Sequence, residues 1–487
     1  MREIENRIQE LKALSEKSLR NKNFEKACAA MNAAGYASYH WNQYYKDDEL
    51  EQQIHQAANM YPNHAKPEFE KDPDCVLFYD GFGLDTRGLA LNYLSALLDN
   101  GKKVKYITTR KAENHQPVFE ETFRKQLEDG SLDVSYFEPG SKAADKITLL
   151  LDTLKSGRAG HTFFYSLPYD VPGLIFMELI ENITTRYFIN LTDHAFWMGT
   201  SCADYYIDFR SYGSSINANY RNITEDKIRL LPYYPFINRD VEYTGLPFDL
   251  QGRKMIFSGG ALYKTLGDEE NRYYRIIDYI LKTYEDTVFF YVGSGDQSEL
   301  QKLQSRYPER VFYSEERKDF YHIYEDAFLY LNTFPMVGGL MMQYSAIHGV
   351  LPLTLRHGSD GDGILIDQDN LGIVFDSLES TEAEIDRLMK DDEYKKRKEA
   401  QIRSAVPTPE RFRDNLKRIM DGMPTEYRID LEPADTQDFL HSYRERMNDD
   451  AVFRSSVARS CNKALITSYP AVFLKETVRK LSHSSAS

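Results

Sequence analysis

The stretch FLYLNTFPMVGGLMMQYSAIHGVLPLTLRHGSDGDG, residues 328–363, decides the fold of this chain. Its opening run, FLYLNTF, is short and apolar, which predicts a buried parallel strand. The pair Gly338–Gly339 then precedes LMMQYSAIHG, a helix-like pattern that Gly349 closes, and LPLTL follows as a second short apolar strand. The stretch therefore predicts a strand, a glycine-rich turn, a helix and a strand in succession.

The glycine-rich turn is also the first candidate binding site. Two adjacent glycines let the backbone approach a ligand closely, and the start of the next helix offers N–H groups at the positive end of the helix dipole. Such a turn suits a phosphate group. The same glycines would equally suit an ordinary strand–helix turn in which they serve only packing.

The composition narrows the class of protein. At 487 residues the chain is too long for one ordinary core, so two or three domains are expected. Its formal net charge of −15 argues against sequence-independent binding to nucleic acid or to anionic lipid, because both need a basic surface. No CxxC pair occurs among the four cysteines, so the sequence predicts neither a zinc site nor a disulfide framework.

The hydropathy pattern predicts no integral membrane segment. The stretch MREIENRIQELK at the start lacks an apolar signal core. No run approaches the roughly 18 apolar residues that indicate a membrane-spanning helix. These features predict a cytoplasmic protein.

Alternating strand and helix patterns predict an α/β fold class with two tandem Rossmann-like domains. The expected units are an N-terminal helical module over residues 1–70, a first Rossmann-like domain over 71–237, a second over 238–424, and a C-terminal helical segment over 425–487. In such folds a ligand binds at the carboxyl ends of the strands, so we expect the site in the cleft between the two domains.

Lys264 follows the first strand of the second domain, in FSGGALYKTLGD, shortly after the pair Gly259–Gly260. A lysine in this turn can reach a diphosphate that lies on a neighbouring helix start. Its charge would then stabilise a leaving group that gains negative charge. A solvated loop lysine is the alternative interpretation.

Asp193 and His194 follow a predicted strand of the first domain, in INLTDHAFWMGTS. A histidine at the end of a strand can act as a general base or contact a sugar. The alternative is a core histidine, satisfied by its neighbours, beside the tryptophan of the same stretch.

Together these features resemble a GT-B glycosyltransferase, and the second half is similar to the catalytic region of the O-GlcNAc transferase family. The similarity rests on ALYK at 261–264, RVFYS at 310–314, MVGGL at 336–340 and GTSCADYYI at 199–207. The resemblance implies that Lys264 contacts the phosphates of a nucleotide-sugar donor. It also implies that backbone amides at Val337, Gly338 and Gly339 hold the diphosphate.

The chain departs from the GT-B pattern where an acidic residue usually contacts the ribose of the donor. Gln343 and Tyr344 occupy that region, and we expect both to line the donor site together with Gly259 and Gly260. Uridine as the base is implied by the resemblance alone.

A short acidic motif, Asp360–Gly361–Asp362, matches the pair that holds a divalent metal in a different glycosyltransferase fold. We interpret it as a polar loop and expect no metal site, because a lysine and a helix start can supply the positive charge.

The leading hypothesis is a glycosyltransferase, hexosyl- or N-acetylhexosaminyl-, that moves a sugar from a UDP-sugar to a glycan or protein acceptor. It needs no cofactor beyond the donor, and its N-terminal helices could bind a protein partner. A sugar-nucleotide epimerase of the same two-domain shape is the second hypothesis. A non-catalytic scaffold is the third.

Overall fold

The structure is a computed structural model that describes residues 3–61, 68–83, 88–109, 112–138, 140–236, 241–359 and 361–484. The described part of the chain begins with three helices, α1 (Glu3–Arg20), α2 (Phe24–Trp41) and α3 (Asp48–Met60). Apolar side chains of α1 and α2 are buried in one cluster with those of the first sheet. The N-terminal helices are therefore part of the first core.

The first sheet has seven parallel strands in the order β3-β2-β1-β4-β5-β6-β7. Its elements are β1 (Asp72–Asp80), α4 (Leu89–Asp99), β2 (Lys103–Thr108), α5 (Ala112–Thr122), α6 (Arg124–Glu128), β3 (Leu132–Tyr136), α7 (Ala143–Gly157), β4 (Ala159–Tyr165), α8 (Val171–Leu179), β5 (Thr185–Asn190), β6 (Tyr205–Asp208), α9 (Ser211–Tyr220) and β7 (Ile228–Leu230). The strand order reverses between β1 and β4, which is where open parallel sheets form their ligand crevice.

The second sheet has six parallel strands in the order β10-β9-β8-β11-β12-β13. Its elements are β8 (Lys254–Gly259), α10 (Arg272–Thr283), β9 (Thr287–Val292), α11 (Ser298–Arg306), β10 (Val311–Ser314), β11 (Ala327–Leu331), α12 (Gly339–His348), β12 (Pro352–Leu355), β13 (Val374–Phe375), α13 (Leu378–Lys390) and α14 (Asp392–Ile402). Every residue of β9 is buried, because helices cover both faces of a parallel sheet.

The two parallel sheets confirm the predicted fold class of two tandem Rossmann-like domains. The next helix, α15 (Pro409–Met420), lies within the range predicted for the second domain, yet it packs against α4 of the first. Its apolar residues Phe412, Leu416 and Ile419 are buried in a core cluster of the first sheet. The chain thus returns to the first domain before residue 425.

The remaining helices are α16 (Gln437–Arg446), α17 (Asp449–Val457) and α18 (Pro470–Ser484). Helix α17 packs on α1 and α2, so both ends of the described chain contribute to one layer on the first domain. Among the residues that the structure describes, no helix has both the length and the apolar content needed to cross a membrane.

Candidate functional site

The turn that carries Lys264 touches the glycine-rich turn before α12. Strand β8 ends at Gly259, and Gly260 has a φ of 126°, a backbone angle that favours glycine. A short 3-10 helix, Leu262–Thr265, follows and carries Lys264. The Met336 N–H donates to the Lys264 carbonyl at 3.2 Å. The structure therefore brings together the two stretches that the sequence predicted to meet a diphosphate.

The glycine-rich turn itself is anchored to the end of β11. The Gly338 N–H donates to Asn332 Oδ1 at 3.0 Å, and α12 begins at the next residue. The first N–H groups of a helix have no partner within that helix, so the start of α12 can bind an anion. A Cβ atom on Gly339 would lie 2.9 Å from Ile364 Cδ1, so glycine at 339 allows the loop after β12 to approach closely.

Two of the predicted donor-binding residues have other partners in the structure. Gln343 is buried and its Nε2 donates to the Tyr233 carbonyl at 3.0 Å. Tyr344 is also buried, and its hydroxyl donates to the Phe236 carbonyl at 3.0 Å. Both acceptors lie in the segment after β7. These residues occupy the side of α12 and not its N-terminal end, so they join the two domains.

Asp193 forms a buried ion pair with Arg210. The Arg210 guanidinium donates through Nε to Oδ2 at 2.6 Å and through Nη2 to Oδ1 at 2.8 Å. Burial raises the pKa of Asp193, but the charge and hydrogen bonds of Arg210 outweigh burial and hold that pKa well below its usual range. The carboxylate is therefore charged and fixed in place.

His194 lies beside this ion pair. Its Nδ1 is 3.3 Å from Asp193 Oδ1, and 31% of its side chain is exposed. The ring meets Phe439 of α16 edge to face, with the ring centroids 5.7 Å apart. A carboxylate at Nδ1 favours the tautomer in which Nε2 can accept a proton.

Arg210 lines a cavity of about 460 Å³ between the two domains. Ser211 and Asp362 line the same cavity from opposite domains. A Cβ atom on Gly363 would lie 3.3 Å from the Ser211 nitrogen, so the loop that touches Gly339 also touches the first domain. The sequence prediction missed Arg210, although its place directly after the predicted strand DYYIDF is a usable signal.

A buried cluster of amide and carboxylate side chains lies at the carboxyl end of β6. The sequence prediction missed this cluster as well. Asp208, the last residue of β6, accepts from Asn190 Nδ2 at 2.7 Å and from Asn217 Nδ2 at 2.9 Å. Burial raises the pKa of Asp208 to about 7, and the nearby charge of Asp193 acts in the same direction, while the hydrogen bonds oppose it.

We expect Asp208 to make stability decrease as the pH rises from about 4 to about 7. Over this range the folded state holds a proton that the unfolded state has released, so the free energy of unfolding falls by up to about 1.4 kcal/mol per pH unit. Urea unfolding of Asp208→Asn across this range should lack the contribution of Asp208 to that slope. The exposed Asp133→Asn variant is the control and should keep the wild-type slope. Equal slopes in wild type and Asp208→Asn would contradict the prediction.

The structure describes only part of the acidic motif at residues 360–362. Asp360 lies outside the described residues. Asp362 Oδ1 accepts from Arg356 Nη1 at 2.7 Å, and burial raises the pKa of Asp362. Within the described ranges, no group of three or more His, Cys, Asp or Glu residues is arranged to hold a metal ion.

Solved structures of other proteins share the fold of this chain. No model of a known protein family matches the sequence, and no curated protein does. The chain is similar to a Listeria monocytogenes structure provisionally assigned as a UDP-N-acetylglucosamine 2-epimerase, with a TM-score of 0.52 and 13% identity over 73% of this chain and 100% of that one. It is similar to a Rickettsia africae ESF-5 glycosyltransferase, with a TM-score of 0.50 and 11% identity over 72% and 99% of the two chains.

A Thermobaculum terrenum O-GlcNAc transferase mutant aligns over 94% of this chain and 85% of its own, at 14% identity and a TM-score of 0.45. At these identities the similarities establish the fold and leave the activity open. With its two parallel sheets of seven and six strands, the chain has the two-domain α/β fold called GT-B.

Proposed function

We propose that this protein is a glycosyltransferase that uses a nucleotide-diphosphate sugar as donor, with a UDP-sugar favoured. The observation that carries the proposal is the contact between the Lys264 turn and the glycine-rich turn, through the Met336–Lys264 hydrogen bond. It joins a lysine and a helix start at the carboxyl ends of β8 and β11, next to the cleft. Both kinds of positive group bind phosphates.

The leaving group would be the nucleoside diphosphate. The backbone N–H groups of Val337 and Gly339 at the start of α12 would hold its phosphates, whereas the Gly338 N–H, which the sequence also assigned to the diphosphate, is bonded to Asn332 and shapes the turn. Lys264 would neutralise the charge that develops as the sugar–oxygen bond breaks. The side chains of Gln343 and Tyr344 would act indirectly by keeping α12 on the first domain.

The first domain would supply the general base. In this proposal His194 Nε2 takes the proton of the acceptor hydroxyl, and Asp193 orients the ring through Nδ1. Arg210 keeps the Asp193 carboxylate charged, so that it stabilises the imidazolium that forms.

An epimerase is the second candidate, because the Listeria monocytogenes structure with a TM-score of 0.52 carries that provisional assignment. An epimerase would use the same donor-binding site and would need no acceptor. The two activities therefore separate in one measurement. Isomerisation of the free donor without acceptor would favour the epimerase and contradict the transferase.

The first experiment is a thermal-shift panel of nucleotide-diphosphate sugars, followed by a transfer assay with the best donor. A ligand at ~100 times its Kd stabilises the native protein by roughly 2.7 kcal/mol, which raises the midpoint clearly. The scaffold hypothesis expects no shift with any nucleotide diphosphate. Binding of a donor without isomerisation, and transfer to an oligosaccharide or peptide acceptor, would support the transferase.

Transfer activity is expected to survive chelation of divalent metals. Lys264 and the start of α12 already provide positive charge at the phosphates, and Asp362 is paired with Arg356. The measurement is the initial rate with excess EDTA, with added magnesium or manganese as the comparison. Loss of activity in EDTA that manganese restores would contradict this expectation.

A further inference from the structure

The loop that carries Asp193 and His194 is held from outside the sheet by the N-terminal helices. Asn42 caps the carboxyl end of α2, directly after Trp41; it is fully buried and has a left-handed backbone with φ 45° and ψ 51°. Asn42 Nδ2 donates to the His194 carbonyl at 3.2 Å, and Asn42 Oδ1 accepts from the Phe196 N–H at 2.8 Å. One side-chain amide thus fixes the backbone on both sides of Ala195.

Further contacts from α2, from α3 and from the segment between them fix the rest of this loop. Glu51 of α3 accepts from the Gly199 N–H at 2.7 Å. The ring of Tyr44 meets Phe196 edge to face, with centroids 5.3 Å apart. A Cβ atom on Gly35 of α2 would lie 2.6 Å from Met198 Cε, so helix and loop are closely packed.

Arg221 supports the loop from the first domain. Its Nη2 donates to the Asp193 carbonyl at 3.0 Å and to the Ala195 carbonyl at 2.5 Å. Its guanidinium lies 4.4 Å from the centroid of Trp197 and 5.3 Å from that of Tyr45. Arg221 therefore holds the carbonyls of 193 and 195, and Asn42 holds the carbonyl of 194 and the amide of 196.

We propose that Asn42 is a positioning residue for the acceptor side of the active site, acting through His194. By fixing the His194 peptide, it keeps the imidazole in contact with the Asp193 carboxylate. The inference rests on the proposed function, in which His194 receives the proton of the acceptor. It gives the N-terminal helices, for which the sequence suggested a protein partner, a role at the acceptor site.

Asn42→Gly is the most informative variant, because it removes both side-chain hydrogen bonds and keeps the left-handed backbone, which glycine adopts without strain. Lys22→Gly is the matched control. Lys22 has a similar backbone with φ 57°, is exposed, and lies at the turn between α1 and α2. Circular dichroism establishes that each variant is folded. If Asn42→Gly does not fold, Asn42→Asp replaces it, since aspartate keeps the acceptor for the Phe196 N–H and loses the donor to His194.

Asn42→Gly is expected to lower kcat roughly 10- to 100-fold, the scale of loss from a small misplacement of a reacting group. Donor affinity measured by calorimetry should stay within about twofold of the wild-type value. The proposed donor-binding site lies on the second domain and does not include this loop. Lys22→Gly should change neither. A parallel loss of donor affinity, or an unchanged kcat, would overturn the proposal.

A double-mutant cycle with His194→Ala tests whether Asn42 acts through His194. If it does, Asn42→Gly adds little to the loss already caused by His194→Ala. Multiplicative losses would mean that Asn42 acts by another route, and would overturn the proposal.

One further measurement needs no turnover. The NMR chemical shifts of the His194 ring, measured on the full-length protein at one fixed pH, should change in Asn42→Gly and stay at their wild-type values in Lys22→Gly. Unchanged ring chemical shifts in Asn42→Gly would overturn the positioning role. If the ring chemical shifts change but wild type transfers sugar to no acceptor, the proposed function fails and Asn42 still positions the loop.

Discussion

Replacing Lys264 by alanine is expected to lower kcat for sugar transfer roughly 100- to 1,000-fold, the cost of one lost donor to a developing negative charge. The lysine sits on the 3-10 helix Leu262–Thr265, whose backbone touches the glycine-rich turn through Met336. Positive charge at this position matters most when the sugar–phosphate bond breaks and the diphosphate gains charge. The effect should therefore fall on kcat more than on donor affinity.

The free energy of unfolding of Lys264→Ala should change by less than ~1 kcal/mol, as is usual for a side chain outside the core. Steady-state kinetics and urea unfolding, measured on the same preparations, separate the two effects. Lys302→Ala is the matched control, because Lys302 is an exposed lysine of the same domain whose side chain is 68% exposed. Turnover of Lys264→Ala equal to that of the control would remove Lys264 from the mechanism.

Arg210→Met is expected to destabilise the protein by about 3–5 kcal/mol, the usual cost of leaving a buried charge without its partner. Both oxygens of Asp193 accept from Arg210, and the carboxylate is fully buried. Methionine fills a similar volume but donates no hydrogen bond. The folded state would then hold an uncompensated carboxylate or take up a proton.

The double variant Asp193→Asn with Arg210→Met should recover part of this loss, because no charge is left buried alone. Arg7→Met is the control for an exposed pair and should cost less than ~1 kcal/mol. Urea unfolding at pH 7 provides the comparison. A cost for Arg210→Met as small as that of Arg7→Met would contradict a buried ion pair.

The pH dependence of this ion pair has a definite sign. Because the folded-state pKa of Asp193 is depressed, its contribution is fully present above the ordinary carboxylate pKa of about 3.9 and is lost as the pH falls through the folded-state value. The pKa of Asp208 is raised, so its contribution to stability falls as the pH rises from about 4 to about 7. Below about pH 4 the wild type should lose the Asp193 contribution and the double variant should not, while between about pH 4 and 7 the double variant should differ only through the lower pKa of Asp208 that the loss of the Asp193 charge causes.

The sequence by itself determined the alternation of strands and helices, and with it the fold class. Apolar runs and helical periods are local patterns, so they can be recognised without knowing what packs against them. The sequence patterns did not predict two local features. Strand β7 is only three residues long, and the segment Phe320–Asp326, with a helical pattern, forms a 3-10 helix.

The sequence also indicated the donor side of the candidate site. Lys264 and the pair Gly338–Gly339 each lie in the turn after a predicted strand of the second domain. Because parallel strands share one carboxyl edge, such residues come together without further information. Gln343 and Tyr344 were assigned to the same site by analogy, and their orientation on α12 gave them other partners.

Only the tertiary structure decided what surrounds Asp193 and His194. Arg210 pairs with Asp193 across 17 residues, and Asn42 bonds the His194 carbonyl across 152. Hydrogen bonds and ion pairs depend on distances between atoms of different helices, strands and loops. The local hydrophobic periodicity of the sequence does not encode those distances. The packing of α15 on the first domain has the same origin, since an amphipathic helix specifies that one face is buried and leaves open what buries it.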